Sequence, residues 1–160
     1  ESHQEEAFIK NAMAEMMEIY SDQCFNNTIS YEGITDLLDA LVLRDIKAAV
    51  FSNKPDELTK KVVKALFPDH HFEAVIGFTD ESLKKPNPVV ALSICDALGL
   101  PPKNVLYVGD SGVDMQTANN AGMIAVGALW GFRTKEELAV NGAKYFLNLP
   151  LDLIKLFYYR

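Results

Sequence analysis

A chain of 160 residues with 22 acidic and 15 basic side chains carries a formal net charge of −7, with 49% of its residues hydrophobic and 23% charged. That is the composition of an ordinary globular domain able to bury a core, and its negative charge repels phosphate backbones and anionic lipid, so neither nucleic acid nor membrane is expected as a partner. No apolar run approaches the roughly 18 residues of a membrane span, and the opening Glu1-Ser2-His3-Gln4-Glu5-Glu6 is acidic where a secretory leader is basic, which points to a soluble cytoplasmic protein.

In chain order, Phe8, Ile9, Ala12, Met13, Met16, Met17 and Tyr20 recur at three and four residues, predicting an amphipathic helix over 5–22. Turn formers at 26–30 break the pattern, and a second helix is predicted over 33–43. From there short apolar runs alternate with helical periodicity. Strands are predicted at 46–51, 74–78, 104–108, 124–129 and 145–147. The intervening helices fall at 56–66, 88–98, 112–121 and 134–140, with a last one at 151–158. Near-continuous runs such as Ala48-Ala49-Val50-Phe51 and Val105-Leu106-Tyr107-Val108 suit strands covered on both faces. The expected fold class is therefore α/β: a three-layer, Rossmann-like parallel sheet with helices on both faces. Cys24 and Cys95 show no metal-ligand or redox spacing and read as reduced structural thiols. His3, His70 and His71 read as surface or loop residues without a role, and the apolar end Phe157-Tyr158-Tyr159 is expected to pack on the core.

In open parallel sheets ligands sit beyond the carboxyl ends of the strands. The first predicted strand runs into Ser52-Asn53-Lys54-Pro55, a hydroxyl followed by a turn whose N–H groups could hold an anion. The third runs into Gly109-Asp110-Ser111-Gly112-Val113-Asp114, with one carboxylate just past the strand and a second in the first turn of a helix. Magnesium is commonly held by one or two carboxylates, waters and the substrate's own phosphate oxygens, which fits this pair. Gly109-Asp110-Ser111-Gly112 also resembles a serine-protease nucleophile loop, but a helix follows it, the chain is too short for a double barrel, and no histidine is placed for a triad. Between the second and third strands, Lys84-Lys85-Pro86-Asn87-Pro88 keeps Lys85 out of a helix and lets it project from a loop. Together these elements offer a phosphate cradle, a point positive charge and a metal clamp, the parts that phosphoryl transfer needs.

The ordered set Ser52, Lys85, Asp110 and Asp114, with Trp130-Gly131-Phe132-Arg133 further on, resembles the haloacid dehalogenase superfamily, and within it the phosphoglycolate phosphatase group. A response-regulator receiver also gathers acids, a hydroxyl and a lysine around magnesium, but it places its acids first and its lysine last. The resemblance implies magnesium-dependent hydrolysis of a small phosphorylated metabolite, 2-phosphoglycolate first among them, through an aspartyl-phosphate. Ser52 and the Asn53 amide would bind the phosphoryl group, Lys85 would balance its charge, and Asp110 and Asp114 would hold Mg2+. It also implies that residues 1–30 are the C-terminal part of a helical cap and 31–160 the core. The family's first motif, D-x-D, which supplies the nucleophile, is nowhere in these residues, so the chain reads as a core lacking its first strand, which would lie between the strands ending at Ser52 and Asp110. Alternatives are a phosphosugar mutase or another phosphatase on the same frame, and a non-catalytic phosphate-binding module. Monomer and homodimer are both open.

Overall fold

The computed structural model of the protein describes residues 8, 9, 11, 12 and 28–158. Positions 8, 9, 11 and 12 are helical; the rest of the expected helix over 5–22 lies outside the described residues, as do Cys24, His3 and Tyr159. Helix α1 (Ile34–Val42) follows Gly33, which sits in the left-handed region at φ 79°, and it buries Leu37 and Leu41 one turn apart. Strand β1 (Ala49–Pro55) leads into α2 (Asp56–Leu66), whose first turn carries two acids, Asp56 and Glu57, facing the positive end of the helix dipole. After β2 (Ala74–Phe78) and a short 3-10 turn, Glu81–Leu83, helix α3 (Val89–Leu98) ends at Gly99, again left-handed at φ 69°. Then come β3 (Leu106–Gly109), α4 (Gly112–Asn120), β4 (Ile124–Ala128), α5 (Lys135–Val140) and β5 (Tyr145–Leu147). The helix predicted at the end of the chain is a 3-10 helix, Pro150–Phe157.

All strand pairs are parallel. β1 pairs with β2, and β3, β4 and β5 pair in that order. β1 and β3 do not pair with each other, so the strands form two sheets. Alternate residues of the second sheet face opposite layers, as parallel strands covered on both sides require. Val105, Tyr107, Ala125 and Phe146 pack with Ala91, Cys95, Met115 and Leu138 of α3, α4 and α5, while Leu106, Val126 and Leu147 pack with α1 and the terminal 3-10 helix. Helix α3 reaches across to the first sheet, where Val90, Ile94 and Leu98 lie on Ala49, Phe51, Ala74 and Ile76.

Cys95 is buried, and burial pushes its thiol up. His70 departs from the surface reading: its ring is largely buried, with Nε2 2.9 Å from Asp39 Oδ1. At the end of the chain Phe157 packs on the core, whereas Tyr158 is exposed and accepts a hydrogen bond from Arg44 Nε at 3.3 Å.

Candidate active site

The site begins at the end of β1. The sequence suggests a turn at 52–55, but the backbone stays extended to Pro55, because β1 returns to pair with β2 at Pro55↔Phe78 after the Phe51↔Ile76 pair. Between these pairs three residues of β1 are set against the single Gly77 of β2, so residues 52–54 form a bulge, the device that re-aims side chains at a sheet end. Ser52 Oγ accepts from the Lys54 N–H at 3.1 Å, closing the bulge on itself and leaving the Ser52 hydroxyl proton available to a ligand. The bulge is braced from below. Thr59 Oγ1 lies 3.1 Å from both the Lys54 and Pro55 carbonyls, and Asp56 Oδ1 accepts from Gly77 N at 2.9 Å. Lys60 and the Gly77 N–H hold the Asp56 carboxyl below its ordinary range. No larger residue fits at Gly77, where a Cβ would come within 2.6 Å of Thr59 Oγ1.

Lys85 lies in the loop between the 3-10 turn and α3, held on both its main chain and its ammonium. Its N–H donates to Asn53 Oδ1 at 2.8 Å, and its carbonyl accepts from Asn53 Nδ2 at 3.4 Å. The Nζ donates to the Phe51 carbonyl at 3.1 Å and to Asp114 Oδ1 at 2.7 Å, and stands 5.1 Å from the Phe51 ring centre, in cation–π range. Lys85 therefore ties the end of β1 to the start of α4.

At the end of β3, Ser111 caps α4: its Oγ accepts from Asp114 N at 3.3 Å, and Asp114 Oδ2 accepts from the Ser111 N–H at 3.2 Å and lies 2.6 Å from Ser111 Oγ. Both oxygens of buried Asp114 are thus engaged, one by Lys85 and one by Ser111. This close seat requires glycine at 109, where a Cβ would come within 2.6 Å of Asp114 Cγ. Asp110 points elsewhere. Its Oδ2 accepts from Phe132 N at 3.1 Å, in the turn after β4, and Oδ1 has no protein partner among the described residues. Gly131 permits that approach, since a Cβ there would come within 2.7 Å of Asp110 Cγ and closer still to its Cβ and Oδ2. Behind the pair, the Tyr107 hydroxyl is buried without a hydrogen-bond partner among the described residues. Burial, and after it the charge of Asp114, raise the phenol far above its ordinary value.

The fold thus connects Asn53, Lys85 and Asp114 by hydrogen bonds, with Ser52 the neighbour of Asn53 in the same bulge. Asp110 stands at the same strand end but is tied to the opposite loop. Among the described residues no three His, Cys, Asp or Glu side chains converge as a metal cage. A magnesium ion needs no cage: one or two carboxylates, waters and substrate oxygens suffice, and the unpartnered Oδ1 of Asp110 is a hard oxygen donor suited to it. Sequence reasoning missed the Phe51 carbonyl, the Phe132 N–H, Tyr107 and the side-chain role of Asn53. Only the glycines at 109 and 131 hinted at close approaches.

The family model for haloacid dehalogenase-like hydrolases matches residues 1–128. The chain is 32% identical over 146 residues to a phosphoglycolate phosphatase of Aquifex aeolicus, an alignment covering 89% of this chain and 67% of that protein. Among solved structures it is similar to a predicted phosphoglycolate phosphatase of Haemophilus somnus, with a TM-score of 0.78 and 28% identity, covering 86% of this chain and 61% of that one. A haloacid dehalogenase-like family protein of Streptococcus pneumoniae shares the fold, with a TM-score of 0.82 at 22% identity, covering 93% and 70% of the two chains. The chain spans 54% to 67% of the length of the first curated relatives it matches.

Proposed function

The chain belongs to the haloacid dehalogenase-like hydrolase family, and from that premise we propose that the whole protein is a phosphatase acting on a small phosphate monoester, with 2-phosphoglycolate the first substrate to try. The observation that carries the reading is the buried Lys85–Asp114 pair, 2.7 Å apart, with its ammonium also on the carbonyl of Phe51, the β1 residue paired just before the bulge and directly before Ser52. An ammonium fixed there is placed to offset negative charge on a phosphoryl group held by the Ser52 hydroxyl and the Asn53 N–H, and charge stabilisation by preorganised donors is the main task in phosphoryl transfer. Asp114 orients Lys85. Asp110 would be the principal metal ligand, with Asp114 beside it in the shell, and bound Mg2+ would neutralise phosphate charge. The domain reading is part of the proposal. Residues 1–30 would close a helical cap, and a strand supplied by a preceding segment would lie between β1 and β3, each of which ends its sheet among the described residues. That strand would carry the carboxylate that attacks phosphorus, expelling the alcohol and leaving an aspartyl-phosphate for water to hydrolyse.

The test is phosphate release from a panel of phosphomonoesters by the intact gene product, with and without Mg2+, beside its Asp110→Asn variant. Magnesium-dependent turnover lost in the variant is expected. A 2-phosphoglycolate rate among the slowest would overturn the narrower substrate, phosphoryl migration between two sugar positions would identify a mutase, and phosphate binding without turnover would identify a non-catalytic module.

A further inference from the structure

The loop that carries Lys85 belongs to neither sheet, yet its main chain is fastened to the bulge of β1 and to helix α4. From the β1 bulge, the Asn53 carboxamide accepts from the Lys85 N–H at 2.8 Å and donates to the Lys85 carbonyl at 3.4 Å, gripping one residue as a paired strand would. From the last turn of α4, Asn120 Nδ2 donates to the Pro86 carbonyl at 3.0 Å. Both asparagines are exposed, so core packing does not account for them. Residue type does. A carboxamide carries its acceptor and its donor on two separate atoms, so one side chain can meet both the N–H and the carbonyl of the same residue: aspartate lacks the donor, and leucine of similar shape lacks both. The two anchors come from β1 and from α4, the helix that follows β3, and β1 and β3 do not pair with each other. Lys85 Nζ joins the same two elements, meeting the Phe51 carbonyl of β1 at 3.1 Å and Asp114 of α4 at 2.7 Å, distances that a loop displacement of about 1 Å would break.

We infer that Asn53 and Asn120 are positioning residues for Lys85, which seat the loop from the two halves of the fold so that the ammonium reaches the phosphoryl site. The inference rests on the phosphatase reading for its consequence in turnover, but not for the geometry it asserts. Asn53 then has two tasks, its backbone N–H facing the phosphate and its side chain holding the lysine.

The experiment compares the intact protein with Asn53→Leu, Asn53→Asp, Asn120→Leu and the double leucine variant. Reductive methylation with formaldehyde, read by peptide mass spectrometry, reports the accessibility of Lys85, with exposed Lys103 as internal control. Steady-state kinetics on the best wild-type substrate gives kcat and KM. Lys85 should be modified several-fold faster in Asn53→Leu and in Asn120→Leu, and faster again in the double variant. Asn53→Asp should be intermediate because it keeps the 2.8 Å acceptor. In the same order kcat should fall, by about 10- to 100-fold for Asn53→Leu, with a much smaller change in KM, as expected when a charge needed in the transition state is displaced. Lys85 labelling and kcat within twofold of wild type in the folded double variant would overturn the inference. If Asn53→Leu does not fold, Asn53→Asp and Asn120→Leu decide by the same readouts. A wild-type protein that hydrolyses no phosphomonoester refutes the phosphatase reading, while the labelling still decides whether the two asparagines hold the loop.

Discussion

Removing Asp114 is the sharpest perturbation available, because it strands a cation. The Lys85 and Asp114 side chains are only 11% and 9% exposed, and the pair is 2.7 Å apart. Breaking a buried pair from one side costs about 3–5 kcal/mol, since the remaining charge stays desolvated. Asp114→Ala also removes half of the α4 capping box, a further ~1 kcal/mol. Lys85 keeps the Phe51 carbonyl and ring, and its long stem can swing toward water, so the low end applies: about 3–4 kcal/mol in total. Lys85→Met should cost less, because the Ser111 N–H and hydroxyl continue to hold Asp114. The combined Lys85→Met/Asp114→Ala variant should be more stable than Asp114→Ala alone, since it removes the stranded charge. Urea unfolding followed by the fluorescence of Trp130, the single tryptophan of the chain, measures all four states of the cycle. A cost below about 1 kcal/mol for Asp114→Ala, or a double variant that loses the sum of the two single effects, would refute the burial argument.

Gly131→Ala should displace the Asp110 carboxylate from the Phe132 N–H and weaken magnesium binding by about tenfold or more, as loss of a ligand's supporting contact does; calorimetric titration giving wild-type affinity would count against Asp110 as the ligand. Tyr107 should remain protonated in the folded protein at a pH where the same phenol in the unfolded chain ionises, about 10. The unfolded chain then releases a proton that the folded one retains, so stability falls as pH rises from about 10 toward the folded value, and Tyr107→Phe should flatten that decline in urea melts. Asp56 has the opposite sign. Its lowered value contributes stability above the ordinary aspartate range that is lost as pH falls through the folded value, so Asp56→Asn should lower stability at neutral pH and shrink the acid-side decline; equal slopes in the two proteins would refute it.

The periodicities of this chain reach its elements directly. Leu37 and Leu41, Val90 and Ile94, and the alternation of Tyr107 against Leu106 are spacing rules that local sequence carries, and they place helices on both faces of parallel strands. The same reading places Ser52 and Asp110 at strand ends, Asp114 in the first turn of the next helix and Lys85 in a connecting loop, because acids, a hydroxyl, glycines just past apolar runs and a lysine before proline are local signals too. It misses the extended bulge at 52–54, since a bulge depends on where β2 resumes pairing, and the burial of His70, since that depends on a partner 31 residues away. Helical periodicity likewise does not separate an α-helix from the 3-10 turns of Pro150–Phe157. By itself, then, the sequence determined the α/β class, the strand ends and the residue types available there, all consequences of short-range pattern. Only the tertiary structure decided how those groups are used. It gave Asp114 Oδ1 to Lys85, turned Asp110 toward the Phe132 N–H, and split the strands into two sheets, because each outcome depends on which sequence-distant group arrives within hydrogen-bonding distance.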